Sequence, residues 1–144
     1  MEIVNLPAGD PRWAQALPIL QQLRTHMSRQ DLEAVLSSPD AQRPSFFAAF
    51  DGDDCVGVCG WRLVATTSVG RKLYVDDLVT DDSARSRGIG SALLAHAEEI
   101  ARRSGCAVLD LDSGVQRHGA HRFYLRERMD ITSYHFVKRL EVLD

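Results

Sequence analysis

The residues best arranged for chemistry lie between Leu73 and Leu94. An apolar run broken by two acids, Leu73-Tyr74-Val75-Asp76-Asp77-Leu78-Val79-Thr80, leads through a polar turn into Arg85-Ser86-Arg87-Gly88-Ile89-Gly90-Ser91, where a helical pattern begins. That order permits anion binding. The first turn of a helix leaves about four backbone N–H groups without intrahelical partners, and the helix dipole adds positive potential there. Gly88 and Gly90 carry no Cβ, so a bulky phosphate ester can approach the backbone closely, with Arg85 and Arg87 adding charge at the rim. Two commoner phosphate loops are excluded: no Gly-Lys-Ser/Thr ending makes a P-loop, and no third glycine completes a dinucleotide fingerprint. Taken alone, two glycines at a helix start describe a tight strand-to-helix turn more often than a binding site.

The acids form a second constellation. Asp76 and Asp77 interrupt a strand-like run, and simple alternation sends them to opposite faces. A carboxylate in a central strand is costly to bury unless paired or solvated, so at least one should meet a cleft, a cation or a helix end. By the same alternation Asp110 and Asp112 share a face of a later strand. Carboxylates lining one cleft would draw a cationic amine; carboxylates capping a turn have equal claim to Asp110 and Asp112. His118, His121 and His135 are candidates for base or substrate contact, though a lone His is more often a surface or packing residue, and Trp13 and Trp61 read as core or rim aromatics. Cys55, Cys59 and Cys106 have no further ligands at metal spacing, so no metal is expected and the thiols read as small apolar packing groups.

These residues need a scaffold, and the periodicities supply one. A strand is expected over 3–6 and a helix over 13–25, which Pro18 should kink or split. Ser28-Arg29-Gln30-Asp31 resembles a capping box opening a short helix. Strands over 46–50 and 55–65 flank the turn signal Asp51-Gly52-Asp53-Asp54, and another follows over 72–80. Ile89, Leu93, Leu94, Ala97, Ile100 and Ala101 then share one face of a long helix. Glu98–Arg102 and Glu99–Arg103 support its outer face, and Gly105 ends it. A strand over 108–112 completes a strand–helix–strand unit, whose strands should lie parallel. A helix over 118–129 and a β-rich strand over 131–140 close the chain. The expected architecture is a single α/β domain spanning 1–144, with a mixed, mostly antiparallel sheet covered by helices on both faces.

With 144 residues, 44% hydrophobic and 26% charged, the chain has the composition of one globular domain. Its net charge of −3 lacks the basic excess that a nucleic-acid module uses. No apolar run approaches the roughly 20 residues of a membrane span, the N-terminus has no signal pattern, and the three cysteines suit a reducing compartment. The expected location is cytoplasmic.

The segment Arg85-x-x-Gly88-x-Gly90, directly after a strand and opening an amphipathic helix, resembles the coenzyme A signature of the GNAT superfamily of N-acetyltransferases. Downstream, Ala120-His121-Arg122-Phe123-Tyr124 resembles that family's Ala-x-x-Phe-Tyr segment. The resemblance covers roughly 55–140 and implies a splayed pair of parallel central strands and acetyl-CoA as acetyl donor. Strand contacts to its pantetheine arm would come from Leu78, Val79 and Thr80, and pyrophosphate contacts from Arg85, Ser86, Arg87, Gly88, Ile89, Gly90 and Ser91. It further implies that Tyr124 protonates the departing thiolate, a role its ordinary pKa of about 10 suits. Tyr74-Val75-Asp76-Asp77-Leu78 is similar to the Tyr-x-Glu-Asp-hydrophobic segment of diamine acetyltransferases, which makes Asp76 the expected base, with Asp77, Asp110 and Asp112 as substrate contacts. Arg117 stands where the family often has Asn, and Met129-Asp130 where it often has Gly-aromatic. The function implied is acetyl transfer to a primary amine on a small cationic molecule, directly within a ternary complex. The alternative is a non-catalytic acyl-CoA sensor or docking module of the same fold. A homodimer through the β-rich C-terminal segment is compatible with either.

Overall fold

The computed structural model describes residues 1–85 and 87–142. The chain divides into two compact units, Met1–Leu111 and Asp112–Asp144. The first holds β1 (Glu2–Asn5), α1 (Trp13–Leu23), α2 (Arg29–Leu36), β2 (Ser45–Asp51), β3 (Asp54–Thr66), β4 (Gly70–Thr80), a 3-10 turn (Asp82–Ala84), α3 (Ile89–Arg103) and β5 (Val108–Leu111). The second contains α4 (His118–Arg126).

The five strands lie in sequence order in one sheet. β1 to β4 run antiparallel, and β5 joins β4 in parallel through the α3 crossover, as the strand–helix–strand pattern predicts. β2 is buried on both faces, which explains its unbroken Phe46-Phe47-Ala48-Ala49-Phe50 run. Phe46, Ala48 and Phe50 pack with Trp13, Leu17, Leu20 and Leu32 of α1 and α2. Phe47 and Ala49 pack on the other side with Ile89, Leu93, Ala97 and Ala101 of α3. The helices therefore cover both faces.

Local chemistry sets the element ends. Ser28 Oγ accepts from the Asp31 amide while the Asp31 carboxylate accepts from the Ser28 amide, the anticipated capping box. α1 continues through Pro18 rather than splitting. Glu99 and Arg103 pair at 2.8 Å on the outer face of α3, and Gly105, at φ 71°, follows the helix. Gly57 on β3 is where α3 approaches the sheet: an added Cβ would lie 2.8 Å from Leu93 Cδ1 and 2.9 Å from Ile89 Cγ2.

In the second unit α4 ends at Arg126, three residues earlier than its periodicity predicts. The exit is a Schellman turn: the Met129 amide donates to the Tyr124 carbonyl (3.0 Å) and the Arg128 amide to the Leu125 carbonyl (3.1 Å). Arg128 holds the left-handed conformation, φ 64°, that glycine usually takes there. The strand expected over 131–140 is not formed. Its composition is strand-like, but a strand requires a neighbouring backbone to pair with, and no ladder among the described residues reaches 131–142.

Candidate active site

β4 and β5 pair only from Lys72↔Val108 to Val75↔Leu111. β5 ends at Leu111, opposite Val75, so among the described residues Asp76 to Thr80 have no ladder partner on the β5 side. Leu78, Val79 and Thr80, the expected strand contacts, lie on this edge. An unpaired parallel edge offers main-chain donors and acceptors to an extended, amide-bearing ligand, which can add as an extra strand.

The edge runs into the start of α3. Gly88 is the N-cap, in the left-handed region at φ 77°, and among the described residues no side chain caps the helix. The first intrahelical bond runs from the Ala92 amide to the Gly88 carbonyl (3.1 Å), so the Ile89 and Gly90 amides lie ahead of it. A Cβ built on Gly88 would meet nothing within 4 Å. These are the features of an anion cradle at a helix N-terminus. Gln22 of α1 braces the approach: its amide donates to Asp81 Oδ1 (3.0 Å) and its carbonyl accepts from the Asp82 amide (3.0 Å). The two arginines of the motif are already engaged at the surface, Arg85 with Asp82 (2.7 Å) and Arg87 with Asp51 of the β2–β3 hairpin (2.9 Å). Ser86 lies outside the described residues. A hollow of about 390 Å³ beside the turn is lined by Asp51, Asp54, Asp81 and Arg87 but by no β4 residue; its acidic lining does not suit an anion.

The two β4 acids are not on opposite faces as alternation predicts. Gly60 pairs with Asp77 but Trp61 pairs with Val75, which leaves Asp76 as the extra residue of a β-bulge. Both carboxylates therefore point to the α1 side. Arg24, at the end of α1, donates from Nε to Asp77 Oδ1 (2.6 Å) and from Nη2 to the Asp76 carbonyl (2.9 Å). Arg62 grips Asp76 with Nε on both oxygens (3.1 and 2.9 Å) and Nη2 on Oδ1 (2.9 Å). Burial pushes the Asp77 carboxyl above the usual range, against the opposing pull of Arg24. Gly60 makes room for it, since a Cβ there would stand 3.0 Å from Asp77 Oδ2 and 2.6 Å from a Phe46 ring carbon.

Along the same face, Arg62 and Lys72 lie over the Tyr74 ring at 5.2 and 5.7 Å from its centroid, and Lys72 Nζ meets Asp110 Oδ2 at 2.8 Å. Asp110 Oδ1 is buried without a hydrogen-bond partner. Asp112 does not share a strand face with Asp110, because β5 stops at Leu111; it opens the second unit, 3.6 Å from His135 Nδ1. Tyr124 is a half-buried residue of α4, its ring 5.4 Å from that of Phe123. His121 is tied to the Gly114 carbonyl (2.8 Å). Cys55 is pushed up to about 11 by burial, and Cys59 higher still for the same reason, so both remain thiols.

Arg24, Arg62, Lys72 and Gln22 were not among the expected site residues. For Arg62 a signal existed, since it is a lone cation inside a strand pattern; Lys72 follows Arg71 at a strand start and gave no such signal. Gln22 is an ordinary polar position of α1 and Arg24 is its C-cap, and only tertiary packing brings them to the sheet. Among the described residues no helix is long and apolar enough to cross a membrane.

The comparisons agree with this geometry. Residues 13–129 match the profile of the acetyltransferase (GNAT) family. The chain is 37% identical over 132 residues to the Bacillus subtilis protein named uncharacterized N-acetyltransferase YhdJ, covering 88% of this chain and 90% of that one. It is 42% identical over 66 residues to the aminoalkylphosphonate N-acetyltransferase of Salmonella typhimurium, covering 46% and 43% of the two chains. Among solved structures it shares its fold with an integron cassette protein from the mobile metagenome of V. cholerae, at a TM-score of 0.80 and 23% identity over 98% of this chain and 92% of that one. An aminoglycoside acetyltransferase from an uncultured soil metagenomic sample superposes with a TM-score of 0.79 at 18% identity, over 97% and 96% of the chains. The open β4 edge, the uncapped glycine turn and these relationships together mean that the chain belongs to the acetyltransferase (GNAT) family and is an acetyl-CoA-dependent N-acetyltransferase.

Proposed function

We propose that the protein transfers an acetyl group from acetyl-CoA to a primary amine on a small cationic molecule, directly and within one ternary complex. The observation that carries this reading is the unpaired edge from Asp76 to Thr80 running into the uncapped start of α3. Leu78, Val79 and Thr80 would align the pantetheine arm by main-chain pairing. The amides from Gly88 to Ser91, with Arg85, Ser86 and Arg87 at the rim, would hold the pyrophosphate. In that position acetyl-CoA supplies an activated thioester carbonyl.

The chain's residues then divide the proton work. A primary amine with a pKa near about 10 arrives as an ammonium ion and must lose a proton to attack. Asp76, directly or through a water, receives it, and Asp77 and Asp110 add negative charge around the cation, with Asp112 as a further contact. Among the described residues no donor reaches Asp110 Oδ1, which suits an incoming N–H. A main-chain amide near Leu78 polarises the carbonyl oxygen. As the N–C bond forms and the C–S bond breaks, the Tyr124 hydroxyl gives its proton to the sulfur, and the second proton lost from the amine nitrogen restores that hydroxyl. No covalent enzyme intermediate is involved.

One observation favours a second acceptor class. Asp76, Asp77 and Asp110 each already carry a cation, from Arg62, Arg24 and Lys72. A balanced wall of this kind also suits an amine that bears its own acid, as in the aminoalkylphosphonates named for the Salmonella relative. The discriminating experiment is a thiol-release assay with acetyl-CoA and a panel of polyamines, aminoglycosides, amino acids and aminoalkylphosphonates. Turnover confined to amines without an acidic group supports the first reading, and turnover confined to zwitterions the second. Donor binding with no turnover on any amine would instead mark a non-catalytic acyl-CoA sensor.

A further inference from the structure

The open edge of β4 is flanked by two main-chain groups that its own local structure leaves unpaired among the described residues. At one flank the β3 register passes over Asp76, the extra residue of the bulge, so its carbonyl lacks a ladder partner. At the other, Asp82 opens the 3-10 turn, where a first amide has no acceptor within the turn. Both groups are answered from the last turn of α1. Arg24 donates from Nη2 to the Asp76 carbonyl (2.9 Å) and from Nε to Asp77 Oδ1 (2.6 Å). Gln22 accepts from the Asp82 amide (3.0 Å) and donates to Asp81 Oδ1 (3.0 Å). Each side chain thus holds one main-chain group and one carboxylate.

From this we infer that Gln22 and Arg24 are positioning residues that hold the stretch from Asp76 to Asp82 in the shape that receives acetyl-CoA, a role that rests on Leu78 to Thr80 being the pantetheine contact. An inner strand is fixed by a ladder on each side. Here β3 supplies one ladder, from Gly57↔Thr80 to Gly60↔Asp77, and the other side is left to the ligand. A strand held on one side loosens first where that ladder stops, which is at the bulge and at the turn. Those are the two places that α1 grips.

The support is itself firm. Trp13, Ala16, Leu17, Ile19 and Leu20 bury α1. The Arg24 amide donates to the Leu20 carbonyl (2.9 Å), and the Arg24 carbonyl accepts from the Met27 amide (3.1 Å). The residue types suit the task as well. A guanidinium presents a planar fork to two acceptors at a fixed angle, which an ammonium cannot copy. A carboxamide carries the donor and the acceptor that the Asp81 carboxylate and the Asp82 amide require. Gln22 is exposed and the Arg24 side chain is half-exposed, so these bonds add little to global stability. Their effect falls on the segment they hold: order present before the donor arrives need not be created when it binds.

Amide hydrogen exchange, with calorimetry on acetyl-CoA and on ADP, tests this role in the full chain carrying Arg24→Gln, Arg24→Lys or Gln22→Ala. Exchange over 76–82 in the free protein should quicken in Arg24→Gln and Gln22→Ala, and their Kd for acetyl-CoA should rise about five- to tenfold, because the segment must then be ordered on binding. ADP lacks the pantetheine arm, and Arg24 lies at the flank away from the α3 cradle, so Arg24→Gln should keep its Kd for ADP within twofold of wild type. Arg24→Lys keeps the charge beside Asp77 without the two-point fork; it should fall between wild type and Arg24→Gln, and it carries the test alone where Arg24→Gln does not fold. Unchanged acetyl-CoA affinity in Arg24→Gln or Gln22→Ala overturns the proposal. So does an equal loss of acetyl-CoA and ADP affinity in Arg24→Gln, which marks a general loss of structure, and so does an Arg24→Lys protein that matches wild type. Wild type in which acetyl-CoA does not slow exchange at 78–80 would show instead that the pantetheine contact lies elsewhere, and the proposal falls with it.

Discussion

Tyr124 and Asp77 show how differently two single residues can be tested. If the Tyr124 hydroxyl protonates the leaving sulfur, Tyr124→Phe removes that proton transfer. Turnover should then fall by about 10²–10⁴-fold, while calorimetry with acetyl-CoA gives a dissociation constant within twofold of wild type. Unchanged turnover would remove Tyr124 from the mechanism. Asp77 is tested through its proton. Its folded-state pKa is raised, first by burial, despite Arg24. Between the ordinary carboxyl value of about 4 and that raised value, the folded chain binds more protons than the unfolded one. Its contribution to stability is therefore present at low pH and is lost as pH rises through the folded value. Urea unfolding of wild type and Asp77→Asn over a pH series should show a stability difference that changes across that window, wild type losing ground with rising pH, and stays level above it. A level difference throughout would mean that Asp77 titrates normally.

At the scale of elements, two positions decide how helices are set. Gly57 lets α3 rest on β3, and a larger side chain would collide with Leu93 and Ile89 and approach the Val79 carbonyl, 3.2 Å from an added Cβ. Gly57→Val should cost about 1–3 kcal/mol in denaturant unfolding. Because Ile89 belongs to the first turn of α3, the same change should weaken acetyl-CoA binding through a displaced cradle; equal affinity would separate the cradle from this packing. Arg128 presents the opposite case. A non-glycine residue held at φ 64° carries a steric penalty on the order of 1–2 kcal/mol. Arg128→Gly relieves it, less the added freedom of glycine in the unfolded chain. The expected gain is about 1 kcal/mol, or roughly 2–4 °C in Tm, read in a thermal melt. The family's usual glycine at this helix exit thus has its conformation preserved here, one residue earlier, by an arginine.

For the whole molecule, ligand binding must appear as stability. A ligand that binds only the folded state at a hundred times its Kd adds about 2.7 kcal/mol, so acetyl-CoA should raise the Tm by several degrees. ADP, which lacks the pantetheine arm, should raise it by less, because the β4 edge would remain empty. Equal shifts would reduce the site to the α3 cradle alone.

Local patterns determined most of the elements. The capping box at Ser28 and Asp31, the apolar face of α3 and the hairpin at Gly52 are written in neighbouring residues, and so was the glycine turn that points to coenzyme A. What needed the folded chain were events between distant segments. A register slip opposite Gly60 and Trp61 sent Asp76 to the same side as Asp77, which a rule of alternation cannot anticipate, because a bulge depends on the partner strand. The cations that hold those acids come from α1 and β3, far away in sequence. The segment 131–142 makes the same point in reverse: its side chains specify a strand, but a strand exists only where another backbone completes its hydrogen bonds.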